Sequence, residues 1–242
     1  MAENKTKKGD FIKISYTGYT DDGIVFDTLD RKIAEKNNLY DEHRKYEPMI
    51  IRIGDNNVLK GLDDKLSGLE VNKEYSFVLK AEEAFGKKTS KLIKLVPLKK
   101  FKENNINPIS RLELNIDGSL ATVRSVSGGR VILDFNHPLA GKDIRYDIKI
   151  SEIILDPLTK AKEFVKLNLG IEISDMKLDN DKLTVTLPFK LAGKFNLKIV
   201  DDLKKRMLEA IPEIKKIEFK EPKENAKDKK PDEELKNNVT KN

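Results

Sequence analysis

Residues 48–86 read PMIIRIGDNNVLKGLDDKLSGLEVNKEYSFVLKAEEAFG: a strand, a turn, a short helix and a second strand. The apolar run from Met49 is stopped by Gly54-Asp55-Asn56-Asn57, where an Asn or Asp can cap the following helix by accepting its free N–H groups. The helix is expected to carry Val58, Leu59 and Leu62. It also contains Gly61, a residue that costs roughly 1 kcal/mol in a helix interior, which points to a close backbone approach. After Leu69, the alternation of Tyr75, Phe77 and Leu79 marks the next strand, closed by the loop Glu82-Glu83-Ala84-Phe85-Gly86.

On the N-terminal side, Ile12, Ile14 and Tyr16 fall on one face at the two-residue period of a half-buried strand. Asp22-Gly23 signals a tight turn, with Ile24-Val25-Phe26-Asp27 as the return strand. Thr28 to Glu47 reads as a long polar loop with room for one helical turn. On the C-terminal side, Lys87 to Lys102 reads as basic and irregular, and Pro97 forbids a long helix there. Leu112, Leu114 and Ile116 then alternate up to Asp117-Gly118, and a second run turns at Ser127-Gly128-Gly129-Arg130 into Val131-Ile132-Leu133, which together predict a small β module.

Asn136-His137-Pro138-Leu139-Ala140-Gly141 breaks that pattern before Ile144, Tyr146, Ile148 and Ile150 alternate in a long strand. Past Asp156-Pro157, Ala161, Phe164 and Val165 fit a helix ended by Gly170, and Leu183, Val185 and Leu187 fit a strand. Ile199, Val200, Leu203, Met207 and Leu208 fit a second helix ended near Pro212, and Ile217 and Phe219 fit a last strand, making a separate α+β domain. From Lys220 onward the chain is charged and almost without apolar residues, the composition of a disordered tail.

The 242 residues suit more than one domain. Cysteine is absent, which excludes disulfides and thiol catalysis, and His43 and His137 alone supply imidazole, so neither a metal site nor a cofactor is expected. No stretch reaches the roughly 18 apolar residues of a membrane span, and the first residues lack a signal-peptide core, so a cytoplasmic location is expected. The net charge is +6, and between Lys87 and His137 ten basic residues face four acidic ones. Such a segment could touch nucleic acid or the ribosome through phosphates; a solvated face is the competing reading, since aromatic residues are sparse there. No Ser/His/Asp set, phosphate loop or paired His appears. What remains is Tyr16, Phe26, Met49, Val58, Leu59, Leu62, Phe85 and Tyr146, with Asp27 as the one charge, each singly readable as ordinary core.

Taken in order, Tyr16, DGIVFDT, PMIIRIG, VLKGLDDKLSGL, EEAFG and NHPLAG with Tyr146 resemble the FKBP family of peptidyl-prolyl isomerases, or rotamases. The match covers about residues 8–86 and 138–156. The intervening segment resembles the insert-in-flap domain of SlyD-like members, and the C-terminal extension resembles long archaeal members. The resemblance implies an α+β fold: an antiparallel sheet wrapped on a short helix, a small β-rich inserted domain and a C-terminal α+β domain. The boundaries it implies are 1–86 and 138–156 for the main domain, 87–137 for the insert, 157–220 for the C-terminal domain and 221–242 for the tail.

The same resemblance implies a proline pocket in which Tyr16, Phe26, Asp27, Phe85 and Tyr146 act on the imide. Met49, Val58, Leu59, Leu62 and Ala84 would bind substrate, with Leu62 as floor and the Leu59 N–H bonding a substrate carbonyl. Phe85 stands where the family usually has Tyr, so one hydroxyl contact is lost. In the insert, Leu92, Ile93, Leu95, Val96 and Leu98, extended by Phe101 and Ile106, offer an apolar surface to unfolded chains. The implied function is peptidyl-prolyl cis-trans isomerisation of proline-containing peptides and unfolded proteins, with chaperone activity in protein folding. The alternatives are a holdase with little isomerase activity and a ribosome-associated binding module. The C-terminal domain could support a homodimer. Nickel binding is not implied, because the tail lacks His and Cys clusters; His137 reads as a turn or hinge residue, and His43 lies in a polar loop.

Overall fold

The computed structural model describes residues 4–173, 175–186 and 197–220. The chain forms two compact units divided between Ile154 and Leu155. In the first, β1 (Phe11–Thr20), β2 (Val25–Thr28), α1 (Arg31–Lys36), β3 (Met49–Arg52), α2 (Lys60–Asp63) and β4 (Glu74–Leu79) precede an inserted module. The module contains β5 (Ile93–Pro97), α3 (Leu98–Glu103), β6 (Glu113–Ile116), β7 (Ser119–Ser127) and β8 (Arg130–Asp134), after which β9 (Ile144–Ile154) returns to the first sheet. That sheet is antiparallel with order β2-β1-β9-β4, and β3 also pairs with β1. Its inward residues Ile12, Ile14, Ile51, Leu79, Ile144, Ile148 and Ile150 pack with Leu62 and Leu66 from the helical segment into one core.

The opening stretch folds differently in one respect from its sequence reading. Helix α2 is a single turn beginning at Lys60, with Leu59 as its N-cap and no side-chain cap, so Val58 and Leu59 precede it. Capping runs the other way. The buried Asp63 carboxylate accepts the Gly54 N–H at 3.1 and 3.0 Å and the Asn56 N–H at 3.0 Å, while Asn57 Oδ1 accepts the Arg52 N–H at 3.0 Å. The polar loop is thus held from the helix instead of capping it, because a carboxylate with two oxygens can satisfy several free N–H groups at once. Gly61 makes the close approach that its position suggested: a Cβ there would lie 2.4 Å from the Glu83 carbonyl oxygen.

The insert is a four-stranded antiparallel sheet of order β5-β8-β7-β6 around Phe101, Ala121, Val123, Val131 and Leu133. Residues 87–102 are more regular than composition suggested. A turn of 3₁₀ helix at Ser90–Leu92 leads into β5, an edge strand that tolerates Pro97 at its end, and α3 starts directly after the proline. The predicted apolar run is consequently split. Leu92 and Leu95 are exposed, Ile93 is half-buried, and Val96 and Leu98 pack on the insert core. Phe101 is buried and does not extend the surface, whereas Ile106 is exposed.

The second unit contains α4 (Pro157–Leu169), β10 (Met176–Asp179), β11 (Lys182–Thr186), α5 (Leu197–Ala210) and β12 (Lys216–Lys220). Asp156 caps α4 through the Thr159 N–H, and Gly170 ends it in the left-handed conformation (φ 67°). The sheet order is β10-β11-β12, with β11 and β12 parallel. Leu187 and the charged tail at 221–242 lie outside the described residues.

Candidate active site

A chain of aromatic rings crosses the face of the first sheet. Tyr16 meets Tyr146 edge to face at 5.5 Å, Tyr146 meets Phe26 at 5.6 Å, and Phe26 meets Phe85 at 5.9 Å, all close to perpendicular. Phe85 then stacks parallel on His137 at 4.3 Å. The backbone makes this possible at Gly18 in the middle of β1. A Cβ there would lie 2.7 Å from Phe26 and 2.9 Å from Tyr146, so only glycine lets both rings rest on the strand.

These rings wall a cavity of about 860 Å³. Of the residues singled out in the sequence, Tyr16, Phe26, Asp27, Met49, Val58, Leu59, Leu62, Phe85 and Tyr146 line it together. Ala84 is not in the lining and packs against the core beneath. Leu92, Ile93, Leu95 and Val96 belong to the insert and lie outside this cavity. Val25, Leu39, Asn57, Lys60, Pro138 and Leu139 complete the lining and were not signalled by periodicity. His137, read from sequence as a hinge, forms part of the wall. Its Nδ1 accepts the Leu139 N–H at 3.1 Å.

The cavity's carboxylate is tightly held. Tyr16 Oη donates to Asp27 Oδ2 at 2.8 Å, and Arg44 Nη2 approaches Oδ1 at 2.8 Å as an ion pair without the alignment of a good hydrogen bond. Arg44 comes from the polar loop before β3, which no sequence pattern marked. Burial pushes the Tyr16 hydroxyl far above the usual tyrosine range, and the Asp27 charge and hydrogen bond push it further. Burial does the same to Tyr146, with smaller contributions from Tyr16 and Asp27. Both hydroxyls therefore stay protonated at physiological pH. Tyr146 Oη makes no hydrogen bond to a described residue, nor does the Leu59 N–H, so each is free to serve a bound molecule.

The path into the insert begins and ends at this wall. Gly141 N–H donates to the Gly86 carbonyl at 2.8 Å, and Asn136 clasps Thr89 by accepting its N–H at 2.9 Å and donating to its carbonyl at 3.1 Å. The two connecting segments are thus zipped together beside the Phe85–His137 stack.

Comparison with known proteins agrees with this arrangement. A family model described as the IF domain of FKBP26 matches residues 94–139. A short-type peptidyl-prolyl cis-trans isomerase of Methanocaldococcus jannaschii is 31% identical over 150 residues, covering 62% of this chain and 95% of that protein. An FKBP-type 16 kDa peptidyl-prolyl cis-trans isomerase of Escherichia coli is 34% identical over 119 residues, covering 48% of this chain and 78% of the relative. The SlyD isomerase of Haemophilus influenzae is 25% identical over 149 residues, covering 60% and 71%. Because nearly the whole of a short isomerase is contained within this longer chain, and a matching insert interrupts it, the chain belongs to the FKBP-type peptidyl-prolyl cis-trans isomerases of SlyD-like organisation.

Proposed function

We propose that the ring-walled cavity isomerises X–Pro bonds within unfolded polypeptides that the insert holds nearby. The observation that carries this reading is the cavity itself: aromatic and aliphatic walls, two unengaged hydrogen-bond donors, and a carboxylate already hydrogen-bonded by Tyr16 and ion-paired with Arg44. The planar amide resists rotation with a barrier of roughly 18–20 kcal/mol because conjugation is lost on twisting. The twisted imide carries less charge separation than the planar one and loses less on leaving water. An apolar wall therefore favours the transition state over the ground state, and each ~1.36 kcal/mol of that preference gives tenfold in rate.

In this reading the proline ring sits against Leu62, Phe26 and Tyr146. The Leu59 N–H bonds the substrate carbonyl, and Asp27 acts by position and charge, since the reaction requires no net proton transfer. The exposed Leu92 and Leu95, with Leu120 at 54% and Ile109 at 60% exposure, support capture of unfolded chains by the insert. Cytoplasmic location belongs to the same reading. Self-association through residues 157–220 is checked by light scattering with and without residues 157–242, and ribosome contact by cosedimentation at low and high salt.

Replacement of residues 90–134 by a short glycine linker, which keeps His137 in the cavity wall and the Thr89–Asn136 clasp, tests the division of labour. Turnover of a short proline peptide is expected to stay near that of the intact protein, while acceleration of a proline-limited refolding reaction falls at least about tenfold. Equal losses on both substrates would refute it. If the intact protein suppressed aggregation but left both reactions unaccelerated, the holdase reading would replace this one.

A further inference from the structure

Three of the ten basic residues of the insert sequence are brought to one place by the fold. Lys88, Arg111 and Arg124 from the insert meet Lys142 from the returning segment around a second cleft of about 600 Å³, which Ser110, Thr122 and Asn136 also line. Its acidic residues are Glu113 and Asp134. Asp134 is held by the Asn136 backbone and side-chain N–H groups at 2.9 and 2.7 Å and lies 3.9 Å from Arg124, so that pair is largely neutralised. Lys88, Arg111 and Lys142 form no ion pair with a described residue, although Lys88 also acts on Asp134 and Lys142 on Asp22. Against Glu113 the cleft keeps an excess of two positive charges. Arg111 is fixed there in a left-handed backbone conformation (φ 70°) that an arginine seldom adopts, with its N–H bonded to the Val123 carbonyl at 2.8 Å.

This cleft and the proline cavity share His137 and Pro138 in their linings. A chain with its proline in the cavity that continues across this common wall enters the basic cleft within a few extended residues, each spanning about 3.3–3.6 Å. We propose that the cleft is a substrate subsite for carboxylate side chains of the polypeptide flanking the reacting proline, with Lys88, Arg111 and Lys142 as its specificity-determining residues. The proposal rests on the proline-isomerase reading of the adjoining cavity. Continuity with that cavity favours an acidic peptide over a nucleic-acid phosphate, which tracks long basic surfaces and gains from many contacts along a strand.

The test is a set of proline peptides carrying Glu, Lys or Ala at each position from three before to three after the proline, with catalysed isomerisation followed by exchange NMR. At one or more positions on one side of the proline, Glu is expected to raise kcat/KM about fivefold over Lys, in keeping with partly exposed charge pairs. The ratio should shrink as salt rises, because such pairs are screened. In the Lys88→Glu, Arg111→Glu variant the Glu-to-Lys ratio is expected to fall to one or below, whatever that variant's rate on the Ala peptide. Lys88→Gln, Arg111→Gln provides the same readout if the reversal impairs folding. A ratio near one at every position in the wild type, or one unchanged in both variants, would overturn the subsite. Tighter binding of a single-stranded oligonucleotide than of the Glu peptide, lost in the same variants, would overturn it in favour of phosphate. Failure to isomerise the Ala peptide at all would instead refute the isomerase reading, so the two failures are distinguishable.

Discussion

Tyr146 and Gly18 show how much of the cavity depends on single atoms. Tyr146 touches two other rings and keeps an unengaged hydroxyl, so Tyr146→Phe should keep the packing but lose a donor. A neutral hydrogen bond contributes about 1 kcal/mol, so kcat/KM on a proline peptide is expected to fall about fivefold. Gly18→Ala should do more harm although it adds one methyl group, because the ring edges occupy that space. We expect about 1–3 kcal/mol lost in denaturant unfolding together with most isomerase activity. The buried tyrosines also set an alkaline limit. Tyr16 and Tyr146 hold their protons above the range where unfolded tyrosines release them near pH 10. Stability is therefore complete below about pH 10 and declines as pH rises above it, with a shallower decline in Tyr16→Phe. Chemical denaturation at a series of alkaline pH values checks the slope. At this scale the strand-borne rings were legible from two-residue alternation, but Arg44 was not. It comes from a polar loop without a period, and its pairing with Asp27 depends on where that loop lies in space.

At the scale of elements, the single turn α2 is fixed from both ends by residues that its own propensity would not select. Asp63 ties it to the Gly54–Asn57 loop, and Gly61 lets the Glu83 backbone lie against it. Gly61→Ala is expected to cost about 1–3 kcal/mol of stability, since the obstacle is backbone rather than a mobile side chain. It should also raise KM, because Glu83 is two residues from Phe85 on the cavity wall; unfolding and steady-state kinetics on one variant test both. Gly61's tight contact was readable in sequence as a glycine where a helix wants none. The direction of capping was not, because Asn and Asp appear on both sides of the turn and only burial of Asp63 decides between them. Likewise β5 was hidden by lysines and a proline that an edge strand accepts but a central one would not.

For the molecule as a whole, a small isomerase core is interrupted at the wall of its ring-lined cavity. Gly86 and Gly141 are bonded to each other where the chain leaves and returns, and Asn136 clasps Thr89 just beyond. Asn136→Ala should leave peptide turnover nearly intact but weaken activity on unfolded proteins several-fold, because the two apolar surfaces would no longer be held in register. Refolding of a proline-limited client measures this. The points where the chain enters and leaves the inserted sheet carry Gly86 and Asn136-His137-Pro138 as punctuation in the sequence, whereas the stack of Phe85 on His137 required two segments separated by that sheet to meet. Acceleration of X–Pro rotation by the ring-walled cavity is read out by exchange NMR on a proline peptide. The intact protein should speed cis–trans exchange by orders of magnitude, and Tyr146→Ala should lose at least about tenfold of that while remaining folded. An intact protein that leaves the exchange rate unchanged, or a folded Tyr146→Ala variant with full activity, would show that this cavity does not catalyse the rotation.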